Sequence, residues 1–367
     1  MLTLLFATYN GAHTLPRMLD ALTRLKEPEG GWHVVVIDNG STDATLDILA
    51  TFQGRLPMVV LQEPRRGQNF ARNTGLDARR GDLMVFTDDD VIPDPAWLQR
   101  LRAAADRHPE FDVFSGTILP LWEAQPPPWV NDVVPKGIAF ALTPSDRGTG
   151  PMPPHWAWGP NYAVRSRYFD QGHRFRTDLG PREGPYPMGG ETEFLSRIGK
   201  HGACGYFVKD AIVRHIIRPW QFEPRWLWRR ACNFGRSQYH LAQRNTGEEV
   251  SLRLFGVSRW LFRRQAESVS RLALAIIRRD RRRIDALKWE IWERYGSMAE
   301  QRRHERSARV TKSSSSTIAI RPAQVRHAGC SDEEVGPLNG VPIRDVARPT
   351  PAGSPLPAWC PPKPEET

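Results

Sequence analysis

Three adjacent carboxylates, Asp88-Asp89-Asp90, follow a short apolar run from Leu83 to Phe86. Gathering acids this way costs repulsion unless a cation balances it, and hard carboxylate oxygens suit Mg²⁺ or Mn²⁺. An ion held there could in turn hold a diphosphate. A simpler use stays open, in which one carboxylate caps a helix starting near Asp94 and the others face water. A second acidic cluster is Gly189-Gly190-Glu191-Thr192-Glu193, shortly before Arg197. Its two carboxylates make it a second candidate for chemistry. Thr192 and Glu193 could also do no more than favour a helix N-terminus through its dipole. Small polar residues recur at Thr8-Tyr9-Asn10-Gly11 and at Asp38-Asn39-Gly40-Ser41-Thr42-Asp43. Asp43 reads as an N-cap and Asn10 as a turn-former, whereas Asp38 reads as functional because Gly40 already supplies the turn chemistry.

Each of these groups follows an element that must position it. Apolar runs at Leu2 to Phe6, His33 to Ile37, Met58 to Leu61 and Leu83 to Phe86 alternate with helical periodicities. Leu15, Met18, Leu19, Leu22 and Leu25 form one apolar face, and Leu46, Ile48, Leu49 and Phe52 form another. This order predicts an α/β fold. Strands with little alternation imply a doubly wound, mostly parallel sheet with helices on both faces. In such sheets ligands gather at the carboxyl ends of the strands, which is where the polar groups fall. Pro, Gly and Trp between Trp122 and Pro160 predict a mobile loop that closes over a ligand. Patterning resumes with a strand at Tyr162 to Val164, a helix near Glu191 to Gly199 and a strand from Tyr206 to about Val213.

Charge is unevenly distributed. Residues 214–310 hold 23 Lys+Arg against 10 Asp+Glu, so the net charge of +10 comes from this segment and the remainder is slightly acidic. Its periodicity predicts basic amphipathic helices. The run Arg278 to Arg283, with Trp289 and Trp292 near it, fits either an interfacial helix or a solvated face. A local excess points to an anionic membrane surface or an acidic substrate, with no specific nucleic acid. The expected division is 1–215 as the α/β domain that carries the acidic clusters, 216–310 as basic helices, and 311–367 as a disordered, Pro/Ser-rich tail. Four scattered cysteines read as ordinary thiols. No apolar run is long enough to span a bilayer and the N-terminus lacks a basic signal region, so a cytoplasmic location is expected, with peripheral contact at the membrane's inner face.

Three segments in order carry a resemblance: TLLFATYNGAHTLPRMLDAL, VVVIDNGSTDAT and GQNFARNTGLDARRGDLMVFTDDDVIPDPAWL. Over roughly residues 1 to 240 the chain resembles the family 2 glycosyltransferases of the GT-A fold. The resemblance implies inverting transfer of a hexosyl or related sugar from a nucleotide-diphospho-sugar to a hydroxyl on a glycan, a lipid-linked molecule or a small molecule, as in polysaccharide biosynthesis. It implies Mg²⁺ or Mn²⁺ at a D-x-D motif, with Asp90 the direct ligand, Asp88 near ribose and metal, and His215 completing the metal and diphosphate site. Asp38 would meet the nucleotide base, Thr8 and Tyr9 would line the same pocket, and Arg72 and Asn73 would help hold the donor. The family's G-E-D-x-E-x-x-x-R segment aligns its Asp with Glu191, making Glu191 the candidate base and Glu193 the fallback. This chain departs from that pattern by one acid and a longer side chain. Gly189 and Gly190 are expected to let backbone approach the sugar. Arg218, Arg225 and Arg236 could pair with the diphosphate or form a basic face.

Two other readings compete. A sugar nucleotidyltransferase would need a Lys- or Arg-bearing triphosphate loop after the first strand, and ATYNGAHT has neither. A non-catalytic adaptor would dock its basic helices on membrane or nucleic acid and turn over no donor.

Overall fold

The computed structural model describes residues 1–246 and 253–315. The first half runs β1 (Leu2–Thr8), α1 (Leu15–Leu22), β2 (Trp32–Asp38), α2 (Thr45–Phe52), β3 (Met58–Gln62), α3 (Gln68–Leu76), β4 (Leu83–Phe86), β5 (Val91–Pro93) and α4 (Trp97–Arg107). Then follow β6 (Val113–Trp122), α5 (Pro128–Val133), α6 (Lys136–Phe140), β7 (Gly150–Met152), β8 (Tyr162–Arg165), α7 (Arg167–Asp170), α8 (Gly190–Lys200) and β9 (Gly205–Ile217). The C-terminal part is α9 (Pro224–Thr246), a small hairpin of β10 (Arg253–Leu254) and β11 (Val257–Ser258), α10 (Arg259–Ile277) and α11 (Arg281–Ser315).

The main sheet has the order β3-β2-β1-β4-β8-β6-β9-β5, with β7 also on β9. The chain winds outward from β1 to β3, then crosses back to lay β4 against the other side of β1, all parallel. That reversal opens a crevice at the carboxyl ends of β1, β2 and β4, where open α/β sheets bind ligands. Leu4 and Phe6 of β1 enter one apolar core and Leu5 enters the other, so both faces of the sheet are covered. This is the mixed, mostly parallel α/β fold that the strand patterning predicts, with β5, β7 and β8 running antiparallel to their neighbours.

Two segments differ from expectation. The strand β6 escapes notice because Gly116 and Pro120 read as breakers. Pro120 is tolerated because β8 pairs with β6 only at Val113 to Ser115, leaving that edge of β6 open further on. The expected mobile loop from Trp122 to Pro160 instead contains α5, α6 and β7, and Val130 and Phe140 are buried in the core. Phe140 lies flat against Trp226 of α9, which ties this segment to the C-terminal helices.

Helices α9 and α11 pack backbone to backbone. A Cβ on Gly235 would overlap the Glu293 carbonyl oxygen, and one on Gly296 would overlap that of Cys232. The last helix extends to Ser315, and the rest of the expected tail, residues 316–367, lies outside the described residues. No helix among the described residues is long and apolar enough to cross a membrane.

Candidate active site

The loops at the crevice are built from side chain to backbone bonds. Both oxygens of Asp38 accept from the Ser41 amide at 3.2 Å, and Oδ2 also accepts from Gly40, so this buried carboxylate shapes the turn it begins. Asn10 Oδ1 accepts from the Thr42 amide at 2.8 Å, joining the loops after β1 and β2. Asp43 is not the N-cap of α2. It accepts from the Ala12 amide through Oδ2 and the Thr45 amide through Oδ1, clamping the two loops together. Tyr9 is exposed, and the Arg66 guanidinium lies over its ring at 4.1 Å, which walls the mouth of this pocket with a cation and an aromatic face.

The three aspartates face different partners. Asp88 Oδ1 accepts from Gln68 at 3.0 Å and lies 3.5 Å from the buried Arg72 guanidinium. Burial raises its carboxyl above the ordinary range, against the pull of Arg72. Thr8 Oγ1 donates to Asp89 at 2.5 Å, and burial together with repulsion from Asp90 pushes Asp89 up to about 7. Asp90 lies between His215 Nε2 at 3.3 Å and Arg218 Nη2 at 3.2 Å. Burial opposes its charge, but these two partners hold it below the usual range, and Asp90 in return raises His215 despite that residue's burial.

His215 reaches Asp90 because β9 pairs with β5, setting Val91 opposite His215. Its Nδ1 bonds the Phe140 carbonyl at 2.7 Å, which fixes the ring and aims Nε2 at Asp90. An imidazole oriented through its other nitrogen is the usual form of a metal-binding histidine. Asp90 and His215 therefore fit a divalent cation, while Asp88 stands apart on Gln68 and Arg72. The ligand atoms of Asp88, Asp90 and His215 are not all within 4.8 Å of one another. The buried Arg218 Nε has no hydrogen-bond partner among the described residues, which leaves a donor for an anion beside Asp90.

Glu191 stands at the start of α8, half-buried, across Gly159 from Asp88. A Cβ placed on Gly159 would lie 3.6 Å from Asp88 Oδ2 and 3.7 Å from both Arg72 Nη2 and the Glu191 carboxyl carbon. The two sequence-separated acidic clusters thus meet around one small residue. Glu193, the fallback, points the other way: it is 2% exposed and accepts from Arg197 Nε at 3.1 Å. Gly189 and Gly190 have local reasons to be glycine. Gly189 has φ +79°, and a Cβ on Gly190 would overlap the Asn69 amide. Asn69 and Asn73 of α3 both hold the segment leading to α8, Asn73 through bonds to both the carbonyl and the amide of Phe175. Arg236 lies away from this site, on Glu300, and Arg225 is exposed.

The sequence pattern marks Tyr162 only as part of a strand. It is fully buried, stacked on Phe86 at 4.9 Å, and its hydroxyl has no hydrogen-bond partner among the described residues. Arg72, Glu191 and Asp88 surround it electrostatically. The signal was available in the run Trp158-Gly159-Pro160-Asn161-Tyr162, where small and polar residues interrupt bulky ones immediately before a strand.

Residues 3–156 match the model of glycosyl transferase family 2. Glycosyltransferase AglE of Haloferax volcanii is 31% identical over 223 residues, covering 59% of this chain and 67% of that one. Glucosyl-dolichyl phosphate glucuronosyltransferase of the same organism is 24% identical over 199 residues, or 53% of this chain and 62% of its own. A mannosyltransferase from Pyrobaculum calidifontis, solved with GDP-Man and Mn²⁺, covers 87% of this chain and 80% of its own at 18% identity and a TM-score of 0.49. The fold rests on the strand order above and not on that likeness. The matched segment spans β1 to β7 and so contains the crevice loops and all three aspartates; this chain is a glycosyltransferase of family 2.

Proposed function

We propose that this glycosyltransferase transfers a sugar from a nucleoside-diphosphate donor to an acceptor hydroxyl with inversion, using Glu191 as the base. The observation that carries the reading is the meeting of Asp88, Arg72 and Glu191 around Gly159. It sets a candidate base beside the acids that would face the donor. Asp38 and the Tyr9–Arg66 pair would hold the nucleotide, with stacking and charge available at the same wall. Arg218 would bind a diphosphate oxygen through its unpartnered Nε, and Tyr162 would donate its free hydroxyl to the donor or sugar. Asp90 and His215 would hold Mg²⁺ or Mn²⁺, with Asp88 on Gln68 and Arg72 facing the donor, and such an ion offsets the charge that builds on a leaving diphosphate. Glu191 would take the acceptor proton as the hydroxyl oxygen attacks the anomeric carbon and the diphosphate departs from the opposite face. The acceptor would enter over α8, as a glycan, lipid-linked or small-molecule hydroxyl. Release of nucleoside diphosphate from a panel of nucleotide sugars tests the reading: Mn²⁺-dependent release is expected for at least one donor, and none from any donor would overturn it.

A peripheral contact with anionic membrane at the cytoplasmic face belongs to the same reading, and one surface favours it. Val269, Ile276 and Ile277 are exposed along one flank of α10, which ends at the basic turn Arg278 to Arg283. An apolar flank beside a cluster of arginines suits an anionic lipid surface. Reversing the charges of Arg281, Arg282 and Arg283 is expected to weaken binding to phosphatidylserine vesicles about a hundredfold or more in co-sedimentation, at about 1 kcal/mol for each arginine. Unchanged pelleting would remove the membrane contact and leave the transfer chemistry standing.

A further inference from the structure

The C-terminal helices carry a cluster that the transfer chemistry does not use. His240 of α9 meets Glu300 and His304 of α11, and the i, i+4 spacing puts the latter two on one face of their helix. The ligand atoms of the three lie within 4.8 Å of one another, and no other His/Cys/Asp/Glu trio among the described residues does this. His240 Nε2 is 3.2 Å from Glu300 Oε1, and the two imidazole rings stand 5.1 Å apart.

We propose that His240, Glu300 and His304 form a second metal site, selective for Zn²⁺ or a similar transition ion. Two imidazoles with one carboxylate suit such ions, whereas the carboxylate-dominated crevice suits Mg²⁺ or Mn²⁺. Arg236 donates to Glu300 Oε2 at 2.7 Å, which fixes the carboxylate and leaves Oε1 turned to the histidines. Arg303 lies 3.7 Å from Oε1, but it is 56% exposed and free to swing into water as a cation takes its place. His304 is exposed, which gives the ion an entry path and leaves a coordination position for water.

The position gives the site a consequence. It would lash α9 to α11 close to the contact made by Gly235 and Gly296. His240, Ser237 and Leu241 also line a small cavity whose far wall is Leu179, Met188, Gly189 and Glu193. The ion would therefore stiffen the support beneath the first turn of α8, which carries Glu191.

The test uses untagged full-length protein, stripped with chelator and then titrated with Zn²⁺ in excess Mg²⁺. Thermal unfolding should shift upward with one equivalent of Zn²⁺, because an ion that binds only the folded state raises its stability. Co²⁺ in its place should give a visible absorption band. His304→Ala alters an exposed side chain, so it should fold as the parent does, weaken Zn²⁺ by more than about a hundredfold and lose the Co²⁺ band. Asp90→Asn should retain both responses, since it alters only the crevice. Absence of a Zn²⁺ response in the parent, its survival in His304→Ala, or its loss in Asp90→Asn would each overturn the proposal.

Discussion

Asp90→Ala is expected to lower sugar transfer by a factor on the order of a thousand or more, since charge stabilisation of a leaving group by a bound cation is worth several kcal/mol. The fold should survive the change. Asp90 lies beside two further carboxylates, so its removal relieves repulsion at Asp89 even as it leaves His215 and Arg218 without their partner. Steady-state kinetics with varied Mn²⁺, alongside a melting curve, checks both halves of this statement. A variant that folds, binds Mn²⁺ as the parent does and turns over normally would show that Asp90 is a structural acid. The outcome for Asp88 should differ in kind. Its bonds go to Gln68 and Arg72, so Asp88→Asn is a change in donor positioning more than in charge balance.

The second large effect separates the two glutamates of α8. Glu191→Gln removes a proton acceptor while keeping size and polarity, and it should lower kcat by about a hundred- to ten-thousandfold with donor affinity unchanged. Glu193→Gln should do the reverse. Its carboxylate is buried on Arg197, so the substitution should cost about 1–3 kcal/mol of stability, while the folded fraction retains its kcat. Kinetics normalised to folded protein, with urea unfolding of both variants, decides between them. If Glu193→Gln lost turnover at full stability and Glu191→Gln kept it, the roles would be exchanged.

The fold was legible where strands are buried on both faces. Leu2 to Phe6, interrupted only by Thr3, and Val34 to Ile37 carry apolar runs because helices cover the sheet above and below. It was hidden where a breaker residue sits in a half-open position, as Pro120 does in β6. The segment from Trp122 to Pro160 looked irregular because short helices of five or six residues leave too few turns for a period to register. Within the site, the three aspartates were visible as residue types after a strand, Glu191 at the start of a helix and His215 near the end of a strand. What no one-dimensional pattern carries is that Glu191 lies across Gly159 from Asp88, or that Asn69 and Asn73 hold the backbone leading to α8 rather than reaching outward. Tyr162 was missed for a related reason. A tyrosine in an apolar strand reads as core, and only its unpartnered hydroxyl, near Arg72, distinguishes it.

The proposed chemistry requires above all a nucleotide sugar bound at the carboxyl ends of β1, β2 and β4 with a cation at Asp90. Thermal shift of the parent and of Asp90→Ala, across UDP-, GDP-, ADP- and dTDP-sugars with and without Mn²⁺, tests that directly, because a ligand specific to the folded state raises the melting temperature. A donor in this set should stabilise the parent only when Mn²⁺ is present, and the same donor should give no Mn²⁺-dependent shift in Asp90→Ala. Stabilisation by no donor under any condition, or an equal Mn²⁺-dependent shift in both proteins, would contradict it.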